Sequence, residues 1–153
     1  CEGTFYISTD GGYHFEPTGA ILTDNSVLTA VGDKEGHVWA ATGGSIMYTE
    51  DGGKNFTVLK TINAKALGFG APEKEGGYMT IYVMGNDNVS GNDTPHGDGI
   101  YRSTDKGKTW VRLNDDNHLF GNLTYSITGD SEVFGRVYFA TNGRGIVMGD
   151  VAK

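Results

Sequence analysis

Three carboxylates recur in the same local setting and are the first candidates for acid–base chemistry. Asp10, Asp51 and Asp105 each lie two residues after Ser or Thr, and a Gly and then an aromatic residue follow in the frame [ST]-x-D-x-G-x-x-[FW]. A pair of carboxylates could act as general acid and general base. A carboxylate in a turn can instead accept backbone N–H groups, while Gly supplies a positive φ. We favour the turn, and we predict structural roles for Ser8, Asp10, Gly12, Phe15, Thr49, Asp51, Gly53, Phe56, Ser103, Asp105, Gly107 and Trp110.

The spacing of this frame predicts an architecture. Successive copies lie 41 and 54 residues apart, which is about one propeller blade each, with an insertion in the second interval. An apolar alternating segment precedes each copy ("TFYIS", "SIMYT", "GIYRS"), and further strand-like segments, "FTVLK" and "WVRLN", follow the second and third copies. Each copy is therefore predicted to be a hairpin turn between two strands.

Counting strands around the three turns predicts an all-β fold. The blades are four-stranded antiparallel sheets, and the chain holds 13 strands, grouped as two, four, four and three along the sequence. The outer strands of the first and third groups are predicted over residues 14–18 and 109–114. The 13 strands account for about three to four blades, whereas closed propellers use about 4–8 blades. Residues 1–153 are therefore predicted to be part of one propeller domain.

Composition narrows the classes of partner. The chain of 153 residues contains 25 Gly and 3 Pro, and its net charge is −7. This charge argues against a nucleic-acid backbone or an anionic membrane as partner, and is compatible with a neutral ligand. A single Cys, Cys1, excludes an internal disulfide. No apolar run approaches membrane-spanning length.

Two long stretches carry a family resemblance. Residues 99–122 read "GIYRSTDKGKTWVRLNDDNHLFGN" and residues 125–150 read "YSITGDSEVFGRVYFATNGRGIVMGD". Both resemble the C-terminal end of the xyloglucanases of glycoside hydrolase family 74, and the repeated frame resembles the Asp-box of bacterial-neuraminidase-type (BNR) repeats. The departures are mild: Lys106 and Ala140 replace the usual Gly, and Met148 replaces an aromatic residue.

The resemblance implies a function for a larger protein. Family members are inverting endo-β-1,4-glucanases that cut xyloglucan in a cleft between two propellers of about seven blades each. One catalytic Asp comes from each propeller, and the matched motifs contain neither. The resemblance thus implies a secreted polysaccharide-degrading enzyme whose C-terminal propeller this chain completes, with no catalytic residue, metal or cofactor here. The implied partners are xyloglucan or a related β-1,4-glucan and the remaining part of the enzyme.

Side chains that could touch sugar cluster after the third repeat. Polar residues in "NDDNHLFGN" could hydrogen-bond hydroxyl groups and Phe120 could stack on a pyranose ring; the candidates are Asn114, Asp115, Asp116, His118 and Phe120. The alternative is a loop between blades in which Asn and Asp cap turns. Arg144 could reach the cleft, but pairing with an acidic neighbour is favoured for it and for Arg136.

The polar loop at residues 86–98 and the two Trp residues have simpler interpretations. Its Asp87, Asp93, His96 and Asp98 could in principle hold a hard cation, but their spacing fits no fixed metal motif, and a solvated loop is favoured. Trp39 and Trp110 could be sugar platforms, although packing between strands and blades is the favoured role for both.

Two other classes of function stay open from the sequence. A non-catalytic Asp-box propeller would use the same blades as a binding or interaction module. A sialidase-like hydrolase also has such boxes, but it needs a cluster of Arg residues for its substrate carboxylate. The four Arg residues of this chain show no such motif.

Overall fold

The computed structural model describes residues 2–23, 25–91, 96–120 and 123–151, and these form antiparallel sheets. The first sheet pairs β1 (Glu2–Ile7) with β2 (Glu16–Thr23). The second contains β3 (Val27–Ala30), β4 (Val38–Ala41), β5 (Ile46–Thr49) and β6 (Thr57–Leu59). The third contains β7 (Asn63–Gly70), β8 (Thr80–Asn86), β9 (Gly99–Ser103) and β10 (Val111–Arg112). The fourth contains β11 (Leu123–Gly129), β12 (Val137–Thr141) and β13 (Gly145–Gly149).

The predicted architecture is confirmed. The 13 strands fall into sheets of two, four, four and three strands, each in sequence order. The first strands of successive sheets contact one another, β3 against β7 and β7 against β11, as the inner strands of neighbouring blades do. None of the described residues forms a helix able to cross a membrane.

Two apolar clusters hold the sheets together. One joins the second and third sheets around Trp39, which is fully buried and stacks on Tyr48 with 4.5 Å between ring centroids. The other joins the third and fourth sheets through Tyr82, Ile127 and Phe139. Burial of Trp39 confirms its predicted packing role. Because each cluster is shared by two sheets, the stability of one sheet depends on its neighbour.

The outer strands differ in extent from the prediction. Strand β10 covers Val111–Arg112 rather than residues 109–114. At its start, the N–H groups of Lys108 and Thr109 bond to the Asp105 carboxylate instead of to β9. At its end, Leu113 N still donates to the Ile100 carbonyl oxygen, but the Ile100 N–H donates to the Asn114 side chain instead of to the strand backbone. Strand β2 covers Glu16–Thr23 rather than 14–18, because Glu2 to Thr4 of β1 pair with its far end. In both places, local hydrogen bonds and the partner strand decide the boundary.

Candidate functional site

The connections between strands place one set of loops at the same end of each sheet. In an antiparallel sheet followed in sequence order, the connection from the second to the third strand and the exit from the fourth strand share an end. Contacts between sheets join these connections into one surface. The Thr23 hydroxyl donates to the Thr42 carbonyl oxygen at 3.2 Å, and Gly43 N donates to the Ala64 carbonyl oxygen at 2.8 Å. We call this surface the loop end.

A groove of about 560 Å³ crosses the loop end between the first, second and third sheets. Hydroxyl and amide side chains and one ammonium group line it: Thr42, Ser45, Lys60, Asn63, Asn88 and Ser90. Part of their capacity is already used, since Asn63 Nδ2 donates to Asn86 Oδ1 at 3.0 Å and to the Asn88 carbonyl oxygen at 2.9 Å. The hydroxyl and amide groups of this set suit the hydroxyl groups of an uncharged sugar chain.

The sequence did not single out the groove residues. Each lies within or beside a connection that follows the second or fourth strand of a sheet, and these connections are far apart in sequence. The sequence signal that could have found them was their position. Polar residues occur in the connections from the second to the third strand of a sheet and from the fourth strand to the first strand of the next sheet. Recognising the groove also requires the packing of neighbouring sheets, which brings Asn63 and Asn88 next to Ser45.

The candidates at 114–118 also lie at the loop end, and several of them hold the loop together. Asn114 Oδ1 accepts the Ile100 N–H at 2.8 Å and its amide nitrogen donates to the His118 carbonyl oxygen at 3.2 Å. The Asp115 carboxylate accepts N–H groups of Asn117 and His118 and contacts the His118 ring at 2.6 Å. The hydrogen bond with His118 is the main cause that lowers the pKa of Asp115.

Asp116 and Phe120 contact the adjoining strands. Asp116 Oδ1 accepts a hydrogen bond from Arg112 Nη1 at 2.7 Å while remaining largely exposed. The Phe120 ring lies edge-on to Phe139, with 4.8 Å between centroids, and packs against the cluster of the third and fourth sheets. The Phe120 ring therefore packs against protein on at least one side. Contact of Asp116 or Phe120 with sugar stays a prediction.

Arg144 lies on the turn between β12 and β13. Its N–H donates to Thr141 Oγ1 at 3.1 Å and its side chain is exposed. Arg136 lies before β12, and its guanidinium donates to Asp150 at 2.8 Å and is 3.8 Å from Asp130. The favoured ion pairing is confirmed for Arg136. Arg144 stays a candidate for contact with a ligand at the loop end.

Residues of the 86–98 loop pair with one another and with β7. His96 donates its N–H to Asp87 Oδ1 at 2.6 Å, and its ring contacts the same carboxylate at 2.8 Å. Asp98 bonds to Lys65 and to Asn86. Asp93 lies outside the described residues. Within the described part of the loop, the carboxylates thus face protein donors, and no group of three metal-ligating side chains occurs among the described residues of the chain.

The repeated carboxylates accept several hydrogen bonds from their own turns. Asp51 accepts the N–H of Asn55 at 2.9 Å, its side-chain amide at 2.7 Å and the Thr49 hydroxyl at 2.8 Å. These bonds, with that of the Asn55 amide foremost, lower the pKa of Asp51 to about 2. The backbone N–H of His14 is the main cause that lowers the pKa of Asp10 to about 2. Such carboxylates stay ionised at neutral pH, which suits a structural acceptor better than a general acid.

Known proteins resemble this chain over nearly its whole length. No family model matches it. "Xyloglucanase Xgh74A" of Acetivibrio thermocellus is 49% identical over 157 residues, covering 99% of this chain. An "Oligoxyloglucan-reducing end-specific xyloglucanase" of Emericella nidulans is 34% identical over 160 residues, again covering 99% of the chain. The chain spans only 18% and 19% of these two relatives.

A solved structure has the same fold. The crystal structure of the GH74 enzyme of Niastella koreensis matches with a TM-score of 0.65 and 30% sequence identity. The match covers 96% of this chain and 28% of that chain. The four sheets therefore correspond to a part of a larger molecule of known architecture.

Proposed function

We propose, from the premise that this chain belongs to glycoside hydrolase family 74, that the protein carrying it is a xyloglucan-specific endo-β-1,4-glucanase. The observation that carries the proposal is the 49% identity to a xyloglucanase across 99% of the chain. Inverting hydrolysis requires two carboxylates ~6.5–9.5 Å apart across the bond. The resemblance to the family implies that both lie in segments upstream of the matched motifs, so we place them outside this chain. The three repeated Asp residues accept hydrogen bonds from their own turns instead.

The contribution of this chain is to complete the C-terminal propeller and to form one wall of the glucan cleft. We propose that this propeller has about seven blades, that the enzyme has a second propeller, and that the repeated frames are Asp-boxes. The loop end carries the groove of about 560 Å³ with its neutral hydroxyl and amide groups. This lining supports placing the loop end against the glucan. A polymeric substrate also supports secretion of the enzyme, since a large polysaccharide stays outside the cell.

Hydrolysis of xyloglucan by the full-length protein tests this proposal. We expect release of reducing ends from xyloglucan at least ~100-fold faster than from unsubstituted cellulose, because binding of the side-chain xylose contributes to transition-state stabilisation. A rapid fall in viscosity at low bond cleavage indicates endo action. Residues 1–153 alone are expected to release none.

Two outcomes would overturn the proposal. Binding to xyloglucan without turnover by the full-length protein would identify a binding module. Turnover by residues 1–153 alone would mean that the catalytic carboxylates lie within this chain. One relative is named for a specificity for reducing ends, so release of products only from chain ends would replace the endo assignment while leaving the substrate unchanged.

A further inference from the structure

A second concavity adjoins the groove, beside the outer strands of the second and third sheets. Its volume is about 400 Å³, and polar side chains and one indole ring form much of its lining: Lys60, Thr61, Ser90, Lys108, Thr109 and Trp110. Lys60 and Ser90 also line the groove at the loop end. The two spaces therefore form one continuous surface, and we call the second one the outer concavity.

Hydrogen bonds fix the wall of the outer concavity where the two sheets meet. Thr61 Oγ1 donates to the Gly107 carbonyl oxygen at 2.7 Å, and Trp110 Nε1 donates to the same hydroxyl oxygen at 3.0 Å. Trp110 also packs against the apolar cluster of these sheets, in agreement with its favoured packing role. The residue is nevertheless only half-buried and lines the outer concavity. An aromatic side chain is thus held at a fixed place in the wall.

Two ammonium groups border the outer concavity without an ionic partner. Lys60 and Lys108 are exposed, and neither forms an ion pair within the described part of the chain. By contrast, Lys106 of the same turn pairs with Glu50 at 2.8 Å. No carboxylate of a described residue lines the outer concavity. In a chain whose net charge is −7, this is a local excess of positive charge, which attracts anionic groups.

The combination of groups selects a class of ligand. Ser90 Oγ can donate to or accept from a sugar hydroxyl, and the Trp110 ring offers an apolar surface to a pyranose ring. An ammonium group forms charge-assisted hydrogen bonds with a carboxylate. The negative charge of the whole chain works against a dense polyanion such as a nucleic acid. A glycan with isolated carboxylates fits both the lining and the charge.

We propose that the outer concavity binds a uronic acid residue of an acidic glycan, with Lys60 and Lys108 beside its carboxylate and Trp110 against its ring. This inference rests on the proposed function only in that continuity with the groove makes a glycan the occupant. A glycan that lies in the groove reaches the outer concavity past Lys60 and Ser90. The groove then contacts neutral sugar units, and the outer concavity contacts an acidic one.

Calorimetric titration of the full-length protein tests the class of ligand. The probe is β-1,4-linked xylotriose that carries one glucuronic acid residue, and the matched ligand is the same oligosaccharide with its carboxyl group reduced to an alcohol. We expect the acidic form to bind about 3–20-fold more tightly at low salt, because two exposed ion pairs each contribute a few-fold. The preference should fall below about 2-fold at 1 M NaCl. Equal binding of both forms, or binding of neither, would overturn the proposal.

A matched pair of substitutions locates the site. Lys108 and Lys54 occupy the same position of the third and second repeat turns, in "DKGKTW" and "DGGKNF", and Lys54 does not line the outer concavity. Lys108→Gln is expected to weaken binding of the acidic oligosaccharide about 2–5-fold and to leave binding of the reduced form unchanged. Lys54→Gln alters the net charge equally and is expected to change neither. Equal losses in the two variants would indicate a general effect of charge and would overturn the site.

Competition separates a glycan from a protein partner. An aspartate-rich peptide offers the same carboxylates without a pyranose ring, so we expect it to displace the acidic oligosaccharide only at a much higher concentration. Displacement by the peptide at a lower concentration than by free oligosaccharide would overturn the proposal in favour of an acidic protein segment.

These measurements record binding rather than turnover. Preference for the acidic oligosaccharide in a protein that does not cleave xyloglucan would leave this inference standing while the proposed function fails. An active xyloglucanase that binds both forms equally would have the reverse meaning.

Discussion

Gly68 of β7 lies directly against the backbone of Ile127 in β11. A Cβ placed on Gly68 would lie 2.9 Å from the carbonyl carbon of Ile127 and 2.9 Å from Thr128 Cα, closer than real Cβ atoms approach. Because Gly68 has no side chain, the inner strands of the third and fourth sheets can approach until their backbones are in contact. This spacing lets Tyr82 and Ile127 join one buried cluster.

The first prediction concerns this close approach. Gly68→Ala should lower the free energy of unfolding by about 3 kcal/mol, because the methyl group meets backbone that cannot rotate away. Gly32→Ala is the matched control, since a Cβ there has nothing within 4 Å and its φ is not positive; it should change stability by less than about 0.5 kcal/mol. Denaturant unfolding followed by circular dichroism measures both. Comparable losses in the two variants would contradict the packing described for β7 and β11.

A second prediction follows from the pKa of Asp51. The folded state holds this pKa at about 2, below the ordinary value near 3.8, because the turn donates to the carboxylate. The stabilisation is present above pH ~4 and is lost as the pH falls towards ~2. Wild type should therefore exceed Asp51→Asn in stability at pH 7, and the difference should shrink between pH ~4 and ~2.

Unfolding curves at half-unit steps of pH give this comparison. A difference for Asp51→Asn that is independent of pH would show that its hydrogen bonds do not favour the ionised carboxylate.

The third prediction concerns Lys106, which replaces the usual Gly within the third repeat turn. Its φ is 61°, its Nζ lies 2.8 Å from Glu50 Oε1, and the same Nζ is 4.6 Å from the centroid of the Tyr78 ring. Lys106→Ala keeps the strained φ and loses both contacts, so it should cost about 0.5–1 kcal/mol. Lys106→Gly loses the same contacts but relieves the strain, and should remain within about 0.5 kcal/mol of wild type.

Salt separates the two contributions at Lys106. Both partners of the ion pair are partly exposed, at 42% and 44%, so 1 M NaCl should narrow the gap between wild type and Lys106→Ala, which keep the same φ. The gap between Lys106→Ala and Lys106→Gly should persist, because backbone strain is insensitive to salt. Equal stability of the Ala and Gly variants would contradict a strained turn.

The fourth prediction separates ligand contact from structural roles at the loop end. For the full-length protein, the proposed function predicts that His118→Ala and Arg144→Ala lower kcat/KM for xyloglucan by roughly 3–10-fold with the unfolding midpoint unchanged. Asn114→Ala should lower the midpoint as well, because the Ile100 N–H then loses its acceptor. Lys54→Ala, in the second repeat turn, is the control expected to change neither. Unaltered kcat/KM in both His118→Ala and Arg144→Ala would remove these residues from the glucan site.

The sequence by itself determined the fold class and its subdivision. Three copies of one turn frame, each preceded by an alternating apolar segment, specify local hydrogen bonds that need no distant partner, such as those of Asp51 to Asn55. Side-chain alternation then assigns strands on either side of each turn. The motifs at 99–122 and 125–150 also indicated the family without any knowledge of the tertiary structure.

Tertiary structure decided which residues meet across the sheets. The groove depends on Asn63, Asn88 and Ser45 coming together from three connections, and the outer concavity depends on the third repeat turn lying beside the residues that follow β6. The limits of β10 were also beyond the sequence, because the turn at Asp105 and the strand compete for the same N–H groups. Contacts of this kind depend on the packing angle and spacing of the sheets, which close approaches such as that of Gly68 to Ile127 determine.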